Sequence, residues 1–131
     1  MNRATTIAAA TATATAAALA LSAAPAQAAT YYGRTARSVA SQIHCVNFVG
    51  HGGGGITYKA GVCYLNGKRV NVITFTNRTQ QRSWNAVAKA AFGTGFYWGN
   101  GTGALVVAKN GNRPAAALGA RRLPGTVQRG R

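Results

Sequence analysis

Aspartate and glutamate are absent from this 131-residue chain, which carries 15 lysines and arginines and a formal charge of +15. A globular domain is ordinarily about a quarter charged, with both signs present. The absence excludes a paired-carboxylate acid/base mechanism, a Ser-His-Asp triad and an all-oxygen cage for calcium or magnesium. No side-chain salt bridge can form, so the chain repels itself and its counter-charge must come from outside. An enzyme is therefore not expected.

Cysteine is scarce as well, with only Cys45 and Cys63 present. In an oxidising compartment two cysteines are expected to pair as a structural disulfide. Pairing removes the thiolate that His44 would otherwise activate, and it spoils a Cys45, His44, His51 metal set. No metal or cofactor site is expected, and no small-molecule substrate is evident.

The first 28 residues read as a secretory signal peptide. Arg3 gives a positive start, a weakly apolar Ala/Thr/Leu run follows, and Pro25 precedes the small-x-small pattern Ala26-Gln27-Ala28. The expected location is secreted and extracellular. Residues 29–122 are expected to form a single domain, and 123–131 a basic, disordered tail.

Within the domain, Ala36, Val39, Ala40 and Ile43 recur at helical spacing and predict a short helix over 34–43. Residues 45–49 read as a strand, and the glycine-rich run 50–55 as a loop. His51-Gly52-Gly53-Gly54 resembles the oxyanion-hole stretch of lipases and esterases. The Gly-x-Ser-x-Gly elbow those enzymes need is missing, so the run is expected to be a linker.

Apolar and β-branched stretches on either side of Asn66-Gly67 predict a hairpin with a type I′ turn. That register sets Cys63 opposite Val70 and Tyr64 opposite Arg69. Asn77 or Thr79 can cap a second helix over 79–91, with Trp84, Val87, Ala88 and Ala91 as its apolar stripe. Arg78, Arg82 and Lys89 fall off that stripe and are expected to face water. A second hairpin follows around Asn100-Gly101, and Pro114 opens a short helix through Ala120. The fold expected is α+β: a small two-layer domain, an antiparallel sheet of two hairpins plus one strand, helices packed on one face, and one disulfide.

The positive charge is spread along the chain and is richer in arginine than lysine, which suits bidentate binding of phosphate or carboxylate. Tyr64, Lys68, Arg69, Tyr97, Arg121 and Arg122 are the candidate anion-binding residues. Tyr97, with Tyr31, Tyr32 and Tyr64, could offer a stacking surface for bases or sugar rings, and Lys68-Arg69 and Arg121-Arg122 are adjacent basic pairs. The expected function is non-enzymatic binding of a polyanion: extracellular nucleic acid, anionic cell-wall polymer or anionic membrane surface, with antimicrobial action as a special case. The alternative is a binder or inhibitor of an acidic extracellular protein such as a hydrolase.

Overall fold

Why the chain turns where it does is visible from its caps. In the computed structural model, which describes residues 30–131, helix α1 (Ala36–Gln42) starts where the Thr35 side chain accepts from the Ser38 N–H. Helix α2 (Arg78–Ala91) starts at Asn77 and helix α3 (Arg113–Arg122) at Asn112, each side chain satisfying an otherwise orphaned N–H. The expected signal peptide, 1–28, lies outside the described residues.

Six strands form one antiparallel sheet: β1 (Val46–His51), β2 (Ala60–Leu65), β3 (Lys68–Thr74), β4 (Tyr97–Asn100), β5 (Ala104–Ala108) and β6 (Thr126–Arg129). Their order is β1-β2-β3-β5-β4-β6. The first hairpin has the expected register, Cys63 facing Val70 and Tyr64 facing Arg69. Its turn residues Asn66 and Gly67 have φ of 51° and 78°, the left-handed pair that a type I′ turn demands. The α+β class and the antiparallel sheet thus follow the sequence expectation.

The disulfide joins Cys45, just after α1, to Cys63 in β2, across 5.6 Å between Cα atoms. Closing a loop of sequence separation 18 is worth about 3 kcal/mol through the unfolded state. Both sulfurs sit in the core that α1 and α3 make with one face of the sheet, among Val39, Ile43, Leu65, Val70, Val72, Val106 and Leu118. Here α3 lies directly on the backbone. A Cβ on Gly99 would stand 2.6 Å from the Ala120 nitrogen, and one on Gly119 would stand 2.6 Å from Val106 Cβ.

Two expectations are corrected. The helices do not share one face: α2 covers the opposite side of β4 and β5, where Ala88, Trp84 and Phe92 pack with Leu105, Val107, Trp98 and Phe75. Alternation along β5 is the reason, since Ala104, Val106 and Ala108 point one way while Leu105 and Val107 need a cover of their own. The sheet is a filling between two helical layers.

Residues 123–131 are not a disordered tail either. Leu123 is fully buried, and β6 adds to β4 with Tyr97 opposite Arg129 and Asn100 opposite Thr126. Backbone bonding holds this edge strand, with Gly130 N–H donating to Phe96 O and Arg131 N–H to Lys89 O. Its side chains are mostly exposed, so no hydrophobic alternation marks it.

α2 covers only half of its face. Over β1 and β2 the same side of the sheet is open, leaving Val49 67% and Val46 56% exposed beside Tyr64. No helix among the described residues is long and apolar enough to cross a membrane.

Candidate functional site

The six residues proposed from sequence do not converge. Tyr64 and Arg69 are cross-strand neighbours on the open half of the sheet. Tyr97, on the third strand along from β2, points to the other face with Gly99 and carries the Arg113 guanidinium 5.4 Å above its ring. Arg122 is spent on structure: it donates to Ile43 O at 2.7 Å and so closes the end of α1. Arg121 and Lys68 are exposed and belong to neither aromatic. Alternation and strand order, which place the two tyrosines back to back, are the physical reason.

The convergence is elsewhere. Between α2 and the β4–β6 edge lies a cleft of about 520 Å³ whose walls include Arg78, Arg82, Lys89 and Arg131. Tyr32, Gln81, Asn85, Asn100 and Gln128 complete its polar lining. Residues 78, 82, 85 and 89 fall on one strip of α2 at successive turns, so cations at the rim sit over amides at the floor. Arg78 and Arg82 stand one turn apart in the first two turns of α2. Like charges at that spacing and cations at the positive end of a helix are both locally unfavourable, each by a few tenths of a kcal/mol.

The floor is built from a continuous hydrogen-bonded set. Trp98, wholly buried, donates its indole N–H to Asn85 Oδ1 at 2.8 Å. Asn85 Nδ2 donates to Gln81 O at 3.0 Å and to Asn100 Oδ1 at 3.1 Å. Gln81, only 5% exposed, donates through Nε2 to Asn100 Oδ1 at 2.9 Å and to Gly101 O at 2.6 Å, and accepts from Gly103 N–H at 2.8 Å. A polar residue on the buried strip of α2 is thus explained: it satisfies the backbone of the β4–β5 turn.

The stripe expected from sequence shifts accordingly. Val87 is 59% exposed and Ala91 is exposed, and both line a second, smaller groove with Ile56 and Trp84 rather than the core. Tyr31 is buried and its phenol is pushed above the usual tyrosine range by that burial, with the nearby Arg34 guanidinium pulling the other way. His51 bonds Asn71 Oδ1 at 2.9 Å, and among the described residues no group of three potential ligands could hold a metal ion.

Sequence reasoning placed Arg78, Arg82 and Lys89 in water, where Arg78 and Arg82 do lie and Lys89 lies in part, and did not single out Gln81, Asn85, Asn100, Gln128 or Arg131. The spacing of polar residues 78, 81, 82, 85 and 89 was the available signal. The chain matches no known protein family, no curated protein and no solved structure.

Proposed function

We propose that the protein is a secreted, non-enzymatic binding protein for a polyanion, and that the α2 cleft is its binding site. The observation that supports this reading is the gathering of Arg78, Arg82, Lys89 and Arg131 around one cleft in a chain without a single Asp or Glu. No side-chain carboxylate is available to neutralise them, and three of these cations lie along about 16 Å of one helix. A polymer with repeated anionic groups fits such a row better than an isolated ion. Each neutralised group releases counterions, so affinity is high at low salt and falls steeply as salt rises.

The test compares two variants of equal net charge. One neutralises the cleft, with Arg78→Gln, Arg82→Gln and Lys89→Gln; the other removes exposed charges elsewhere, with Lys68→Gln, Lys109→Gln and Arg121→Gln. Binding to fluorescent DNA and to dextran sulfate is titrated between about 50 and 200 mM salt. The cleft variant should lose at least about tenfold more affinity than its partner and flatten the logarithmic salt slope by roughly 2 to 3. Equal losses would reduce the charge to a generic surface property.

A second reading, a binder of an acidic extracellular protein, is favoured by the open sheet face at Val46, Val49 and Tyr64. It predicts one stoichiometric partner from culture fluid that stays bound at high salt.

A further inference from the structure

The hydrogen bonds under the cleft have a fixed direction. Indole nitrogen can only donate, so Trp98 forces Asn85 to turn its oxygen inward and its NH₂ outward. That NH₂ donates to Gln81 O and to Asn100, which obliges Asn100 to receive it with Oδ1. Gln81 reaches the same conclusion independently: its amide is oriented by accepting from Gly103 N–H and donating to Gly101 O, and it too offers a hydrogen to Asn100 Oδ1. Asn100 therefore holds its carbonyl against two donors. Its own Nδ2 makes no hydrogen bond among the described residues, although Asn100 is half-buried and lines the cleft.

An amide locked at one end and open at the other is a neutral donor with a set direction. It lies at the floor, while Arg78, Arg82 and Lys89 approach from α2, and Gln128 and Arg131 from β6 and its end. Donors on three different elements suit a tetrahedral oxyanion, whose oxygens point in three dimensions, better than a planar carboxylate. Tyr32 shares the cleft and presents a half-buried ring on which a base can stack.

We propose, resting on the polyanion reading above, that the cleft binds single-stranded nucleic acid, with Asn100 Nδ2 donating to a phosphodiester oxygen and Tyr32 stacking on an adjoining base. A duplex has its bases stacked away from Tyr32, so it can offer the cleft only its backbone. This sets the proposal against simple electrostatics. Duplex DNA carries one charge per 1.7 Å, the denser array, and pure charge attraction prefers it.

The experiment measures binding of the full chain to an oligothymidylate, to a duplex with the same number of phosphates, to dextran sulfate and to polyglutamate. The expected result is tighter binding of the single strand than of the duplex, with Tyr32→Leu erasing the preference. Asn100→Asp keeps an acceptor for Gln81 and Asn85 but replaces the open NH₂ by an oxygen. Ala86→Asp puts the same charge on the exposed lining of the same cleft and serves as its control. Asn100→Asp should cost oligothymidylate affinity at least about tenfold more than Ala86→Asp.

Should Asn100→Asp fail to fold, the wild-type side-chain amide resonances decide the matter. Those of Asn100 should shift on adding oligothymidylate, while those of Gln81 and Asn85 move little. Equal losses for the two acidic variants, a still Asn100 resonance, or tighter binding of duplex, dextran sulfate or polyglutamate overturns this proposal alone. If the cleft and control triple variants also bind alike, the polyanion cleft itself falls.

Discussion

Trp98 on β4 donates its indole N–H to Asn85 Oδ1 on α2 across 2.8 Å, in the midst of an aromatic seam. The Trp84 ring meets Trp98 edge-on at 5.6 Å between centroids and Phe92 does so at 6.0 Å. One bond therefore ties the apolar packing of α2 to the polar floor of the cleft, and the same asparagine orients Asn100.

Replacing Asn85 by leucine should cost about 1–3 kcal/mol, because a buried indole N–H loses its acceptor. Urea denaturation followed by tryptophan emission measures this. A loss below about 0.5 kcal/mol would show that the network adds little to stability.

Gly99→Ala should destabilise by about 1–3 kcal/mol or more, since the new methyl meets the α3 backbone at Ala116 O and Ala120 N, which cannot turn aside as a side chain can. Gly95→Ala, where a Cβ meets nothing within 4 Å, should stay within about 0.5 kcal/mol of wild type. Thermal melts of the two variants, side by side, give the contrast. A similar small change for both would mean that α3 shifts freely over the sheet.

The pH dependence of stability should be lopsided. Acid denaturation mostly reflects carboxylates that must be protonated, and the chain has no Asp or Glu. Its melting temperature should therefore change little from pH 5 down to pH 2. On the alkaline side Tyr31 titrates higher in the folded chain than in the unfolded one, through burial. Between those two values the unfolded chain binds fewer protons, so stability is fully present below about pH 10 and is lost as pH rises toward the folded value. Tyr31→Phe should flatten that loss in melts taken between pH 9 and 11.5. An unchanged slope would place the alkaline sensitivity elsewhere than on Tyr31.

Much of the local structure was legible in the residues. Asn66-Gly67 specified both turn and register, the 36-39-40-43 spacing specified α1, and a count of only two cysteines specified their bond. β6 was not legible, because an edge strand held by backbone bonds needs no apolar pattern. The site was not legible either. Tyr64 and Tyr97 each looked available for stacking, yet they point from opposite faces with two strands between them.

The sequence by itself determined the charge, the lack of any internal counter-charge, the hairpins and which residues share a side of each helix. These are properties of composition and of backbone period, and they need no knowledge of neighbours. Only the tertiary structure decided that α2 crosses to the other face, that β6 closes the edge beside it, and that Arg78, Arg82, Lys89 and Arg131 thereby surround one cleft. The direction of the Asn100 amide is decided there too. It depends on Trp98 and Asn85 meeting from two elements, and a hydrogen bond has a direction only when both its partners are in place.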